Sequence, residues 1–204
     1  MKKYFQLSAL SYALLFANTA FAITVPTGIW SIDNVTIGKT TFSEIQKLYG
    51  PSTVYKIGKE EEADENICYV YSKAKNSVFL IFESGVMGGN ERDITGFELS
   101  FHNVHRDCTP TAIDITNLST RNGVRLNQNI SDFKNLLPLK FKKSGSELIY
   151  TGLEKRYMTE EELKKTRAAW PDAATTYFDV TITIKANFIN NRLSDFYVHK
   201  IESY

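Results

Sequence analysis

The apolar positions of this chain change period along its length. Over Phe42, Ile45, Leu48 and Tyr49 they recur every three or four residues, the spacing of one helical face, and Gly50-Pro51 stops the run. The same spacing returns at Ile130, Phe133, Leu136 and Leu137 and ends at Pro138. Elsewhere the period is two. Phe178, Val180, Ile182, Ile184 and Ala186 alternate with Asp179, Thr181, Thr183 and Lys185, the pattern of a strand with one face buried and one outward. By the same rule Phe97, Leu99 and Phe101 face inward and Glu98, Ser100 and His102 outward, while Phe196 and Val198 face inward and Tyr197 and His199 outward. Strands are predicted at Thr53 to Ile57, Ile67 to Ser72, Val78 to Phe82 and Ile94 to Asn103. A second set is predicted at Leu148 to Tyr150, Tyr177 to Phe188 and Leu193 to Ile201, the last two joined by a tight hairpin at Asn190-Asn191.

These elements fall into two matching series. Val35-Thr36-Ile37-Gly38 precedes the first helix and Val124-Arg125-Leu126-Asn127 the second, and the helices align with Phe42 over Ile130, Ser43 over Ser131, Ile45 over Phe133 and Leu48 over Leu136. The expected fold is therefore α+β, two tandem repeats of a short helix followed by antiparallel strands. Residues 23–108 form the first repeat, the Thr- and Asn-rich 109–122 a connection, and 123–204 the second repeat. A helical insertion is placed at 151–175: Thr159 and Glu162 fit a capping box, Glu161 and Lys165 can pair, and Pro171 ends the helix. The hydrophobic-x-hydrophobic-Gly opening, the short helix, the Gly50-Pro51 exit and strands ending in Phe82-Glu83-Ser84-Gly85 resemble the fold shared by secreted β-lactamase inhibitor proteins and BamE/SmpA-type outer-membrane assembly lipoproteins. That resemblance implies the architecture. The chain departs from it in three places: no lipid-acceptor Cys, Asn127 for the second glycine, and the inserted helix.

The N-terminus adds a compartment. Lys2 and Lys3, an apolar stretch from Leu7 to Ala17 and the small-residue exit Ala20-Phe21-Ala22 form a secretory leader, cleaved between Ala22 and Ile23. Ser8 and Ser11 interrupt a run already short of the roughly 20 residues a membrane span needs, so no transmembrane anchor is expected and the mature chain is periplasmic or secreted. In that setting Cys68 and Cys108 are read as a disulfide, since a redox pair would more often be Cys-x-x-Cys and a zinc site needs further ligands. The 24 basic and 23 acidic residues are nearly balanced, which argues against nucleic acid as a partner.

Catalytic chemistry finds little footing. The three histidines are His102, His105 and His199; odd spacing sends the first two to opposite strand faces, and no metal site or cofactor is expected. Ser84 lacks a nucleophile elbow, Gly85, Gly88 and Gly89 lack the Lys-Ser/Thr of a phosphate cradle, and the carboxylates Glu83, Glu91 and Asp93 read as a solvated acidic loop. What remains is the outward strand face, with Tyr197, His199, Lys185, Thr183, Thr181, Glu98, Ser100 and His102 as candidate binding residues. The expected function is a non-enzymatic protein-binding module, an inhibitor, immunity factor or envelope-assembly accessory, whose partner is another envelope or secreted protein. Two alternatives stand beside it: a small-ligand carrier with a pocket between sheet and helices, and a hydrolase of unfamiliar design using His102 or His199.

Overall fold

A computed structural model of the chain describes residues 24–57, 64–73, 76–85, 93–102, 107–172 and 174–203. The expected leader, His105, Glu91 and the Gly88-Gly89 turn lie outside them. A 3-10 turn (Thr27–Trp30) leads into a small hairpin of β1 (Ser31–Ile32) and β2 (Val35–Thr36), then into α1 (Phe42–Tyr49). Thr41 and Glu44 form a capping box, the Glu44 N–H donating to the Thr41 hydroxyl at 3.3 Å and the Thr41 N–H to Glu44 Oε2 at 2.9 Å. Four antiparallel strands follow: β3 (Tyr55–Ile57), β4 (Asp64–Lys73), β5 (Asn76–Ser84) and β6 (Gly96–Ser100). After β7 (Thr109–Pro110) come α2 (Ile130–Leu136), capped by Asn129, then β8 (Lys142–Ser144) and β9 (Glu147–Tyr157). Helix α3 (Glu160–Ala169), β10 (Tyr177–Ile189) and β11 (Arg192–Ser203) complete the described chain.

The fold is α+β around a mostly antiparallel nine-stranded sheet of order β3-β4-β5-β6-β11-β10-β9-β8, with β7 lying parallel to β4. Each half contributes a meander, and the two meet where β6 pairs with β11. Helices α1 and α2 are too short to persist alone, so their apolar faces must be held by packing. Tyr49 lies 5.9 Å from Phe82, and Phe133 lies 5.4 Å from Phe188 and 5.9 Å from Phe196, ring centroid to centroid. Ile45, Phe97, Ile184 and Val198 fill the same core, each such side chain contributing about 1.5–3 kcal/mol.

Two sets of contacts tie each helix entry to the sheet. The Gly38 N–H donates to the Ile94 carbonyl and the Ile94 N–H to the Thr40 carbonyl, both at 2.9 Å. In the second half the Asn127 N–H donates to the Leu193 carbonyl at 2.8 Å, and the Leu193 N–H to the Gln128 carbonyl at 2.9 Å. Gly38 and Asn127 both sit at positive φ, 72° and 65°. Asparagine is among the few non-glycine residues that tolerate this region.

Several predicted boundaries move. Strand β6 stops at Ser100 instead of reaching Asn103: the chain bends there, Phe101 donates its N–H to the Ser194 carbonyl, and its side chain is 37 % exposed rather than buried. Strand β9 continues to Tyr157 because it pairs with β10 as far as Tyr177, so the excursion carrying α3 begins at Met158 and not at residue 151. Residues 109–122 are more than a connection, since β7 pairs with β4 and Ile115 is fully buried. The capping box of α3 forms as read, with Lys165 Nζ 2.8 Å from Glu161. Arg156 of β9 then bridges Glu162 of α3 and Glu202 of β11, pulling the Glu162 carboxyl down to about 2. Asn190 and Asn191 take φ of 49° and 62°, as a type I′ hairpin turn requires.

Candidate functional site

Strand alternation sends one set of side chains toward α1 and α2 and the other to the opposite, outer face of the sheet. Strand register arranges the outer set in rows. One row runs Cys68, Ile81, Glu98, Tyr197, Lys185 and Ile149; its neighbours run Asn66, Glu83, Gly96, His199, Thr183 and Thr151, and Val70, Phe79, Ser100, Asp195, Asn187 and Glu147. Farther along, Thr181 sits between Ile201 and Leu153. Seven of the eight predicted binding residues therefore share this face. His102 does not lie on it by strand register: it follows the end of β6, with Nε2 3.9 Å from Asp195 Oδ2.

A β-bulge sets this geometry. Pairing steps from Asn187 opposite Asp195 to Phe188 opposite Leu193, leaving Ser194 as the extra residue, its hydroxyl donating to the Asn187 carbonyl at 3.1 Å. Without that extra residue Leu193 and Phe196 would point to opposite faces; with it both are buried in the core and Asp195 emerges on the outer face. Gly96 supplies a second constraint. A Cβ there would come within 2.8 Å of the Val198 carbonyl and 2.9 Å of the His199 ring, so the bare backbone is what lets His199 lie across the strand.

The polar face is less open than alternation suggests. Ser100 is fully buried, not outward: its hydroxyl donates to Asp195, accepts the His102 N–H at 2.8 Å, and sits in a row with the buried Phe79. Tyr197 and His199 are half-buried and stacked, ring centroids 5.9 Å apart and planes 16° from parallel. The Tyr197 phenol donates to Glu83 Oε2 at 2.9 Å, and burial together with the Glu83 charge raises it well above its usual range. Burial lowers His199. Glu98 is pushed up to about 7, first by burial and then by the nearby Glu83 and Asp195 charges, against an opposing effect of Lys185.

A pocket of about 360 Å³ opens on this face beside the seam of the two meanders. Glu83, Glu98, Glu147 and Asp195 line it together with Lys185, Asn187 and Tyr197. Glu83, Glu147, Asn187 and Asp195 were not among the predicted residues. Asn187 and Glu147 continue the outward phase of Lys185 and Ile149, so an extension of the alternation would have found them; Asp195 does so only in the phase that the Ser194 bulge selects. Glu83 reads in sequence as part of an acidic loop; only the pairing of β5 with β6 brings it to the pocket.

Ser100, Asp195 and His102 meet at one edge of the face, in an order unlike a hydrolytic triad. Asp195 takes the bond from the serine hydroxyl, whereas a triad needs the imidazole to take it and the carboxylate to orient the imidazole. Among the described residues no group of three His, Cys, Asp or Glu side chains is placed to hold a metal. Likewise no helix among them is long and apolar enough to cross a membrane. Cys68 and Cys108 are joined, their Cα atoms 4.6 Å apart, within the disulfide range. Comparison of the chain with family models, curated proteins and solved structures returned no match.

Proposed function

We propose that this is an exported, non-enzymatic module that binds another envelope or secreted protein through the outer face of β9, β10 and β11. The carrying observation is that Leu153 and Tyr157, on the strand face away from α1 and α2, are 79 % and 74 % exposed. Side chains of that size on rigid strands suit a protein contact, and Lys185, Thr181, Thr183 and the Tyr197–His199 stack extend the surface toward the pocket. The matched helix entries and the mirrored strand order support a tandem-repeat architecture of the kind seen in β-lactamase inhibitor proteins and BamE/SmpA-type lipoproteins. Balanced charge and the leader-like Lys2 to Ala22 segment support an envelope partner rather than nucleic acid.

Capture from envelope extract tests the reading. Wild-type bait, whose intact mass should correspond to a start at Ile23, retains a partner; a Leu153→Glu/Tyr197→Ala bait with an unchanged circular dichroism spectrum loses it. Equal retention by both baits refutes the proposed face.

A second reading, a carrier of a small polar ligand, is favoured by the pocket itself. Its location corrects the sequence expectation, since the space between sheet and helices is filled by core side chains and the pocket lies on the other face. Thermal-shift screening separates the two, because a carrier gains stability from its ligand.

A further inference from the structure

The pocket is short of hydrogen-bond donors. Its four carboxylates face one lysine, and Lys185 holds its Nζ 5.4 Å over the Tyr197 ring. Glu83 accepts from Tyr197, and Asp195 accepts from Ser100 and Asn187. The Glu98 and Glu147 side chains have no hydrogen bond or ion pair among the described residues, although both are half-buried. The Asn187 amide commits its nitrogen to Asp195 and leaves Oδ1 buried with no donor. A half-buried carboxylate without a donor is unfavourable, and an occupant that brings positive charge and several N–H groups relieves it.

The same face turns apolar farther along β9 and β11. Leu153 and Ile201 flank Thr181, four strand positions from the row of Tyr197 and Lys185, a distance of about 13 Å at the strand rise. A small free cation filling the pocket would not reach this second patch. An extended segment would reach it.

We infer that the outer face docks an extended segment of a partner protein, with a Lys or Arg side chain in the acidic pocket and an apolar side chain over Leu153 and Ile201. This rests on the protein-binding reading above. The guanidinium or ammonium head supplies the donors that Glu98, Glu147 and Asn187 lack, and such charge-assisted bonds also fix the register of the segment. The occupant's charge complements a lining of four carboxylates and one lysine.

The test is a titration of the ¹⁵N-labelled protein with a five-residue peptide, arginine first, leucine fifth and serine between. Two control peptides replace the arginine by glutamate or the leucine by serine, and free acetyl-arginine amide is a fourth probe. The arginine–leucine peptide should shift the amides of Glu98, Tyr197, Asn187 and Leu153. The glutamate version and the Glu98→Gln/Glu147→Gln variant should each weaken binding about tenfold or more. Neither substitution removes a hydrogen bond seen within the protein, and Glu98→Gln alone serves if the double variant melts early. Binding indifferent to the arginine, or no binding by any peptide, overturns the inference. Acetyl-arginine amide binding as tightly as the peptide overturns its protein part and makes the pocket a small-cation site.

Partner capture keeps the two proposals apart. A Glu98→Gln/Glu147→Gln bait that retains the partner which Leu153→Glu/Tyr197→Ala loses sinks the basic anchor and leaves the binding face standing. Retention by both baits sinks both.

Discussion

The outer face of the sheet is continuous in register but different in its two halves. On β4, β5 and β6 the outward-phase residues Cys68, Ile81, Asn66 and Gly96 are buried, whereas in the same rows Lys185 and Thr151 are exposed and Thr183 is half-buried. The first half carries a second small core on this side. Its disulfide runs from Cys68 to Cys108, just ahead of β7, and the Tyr55 phenol donates to the Asp107 carbonyl at 2.8 Å. The chain around residues 107–109 is thereby held against β4, while the matching surface of β9 and β10 keeps polar and isolated apolar side chains in solvent. Alternation reports which side chains share a face. It does not report whether that face is covered.

The sharpest break of this comparison puts the same charge into each half of the face. Ile81→Asp should cost 4 kcal/mol or more, about the upper range for an unpaired buried charge, while Thr151→Asp, at an exposed position, should stay within about 0.5 kcal/mol. Urea unfolding followed by circular dichroism measures both, and similar costs would abolish the contrast.

Removing the staple should come next. Cys68→Ala/Cys108→Ala opens a loop of sequence separation 40 and should lower stability by about 4 kcal/mol in the chain-entropy model. Hydrogen exchange should rise first at β4 and β7; an even rise across β9 to β11 would mean that the disulfide does not act mainly on the first half.

The seam between the halves gives the smallest effect, and its sign is determined by Glu98. Its folded value, about 7, lies above the ordinary carboxylate value, so its contribution favours folding below the unfolded value and is lost as pH rises through about 7. Relative to wild type, Glu98→Gln should gain up to about 3 kcal/mol between pH 4 and pH 8, because the amide never has to ionise between Glu83 and Asp195. Paired denaturation curves across that range check it. A stability difference flat with pH would place Glu98 in ordinary solvent.

Much of the local structure was legible. Residues Phe42 to Tyr49 and Ile130 to Leu136 announce helices by spacing, and Thr159 with Glu162 announces the start of α3 by its capping box. Asn190-Asn191 announces its turn because few residue pairs accept two positive φ values. The half-burial of Tyr197, by contrast, depends on Glu83, 114 positions away, and the burial of Ser100 on Asp195, 95 positions away. No local pattern records such partners. The Ser194 bulge escaped for a related reason: Leu193-Ser194-Asp195-Phe196 fits two strand phases, and only pairing with both β6 and β10 selects between them.

By itself the sequence determined the helices, the phase of the long strands and the cysteine pair, since each depends on residue types within a few positions of one another or on there being two cysteines to join. Tertiary structure decided how the two meanders join, which part of the outer face is covered, and that Glu83, Glu98, Asp195 and Glu147 converge on one pocket. Those outcomes depend on register between strands about 100 residues apart, and strand period alone is the same for every register that keeps the core residues inward.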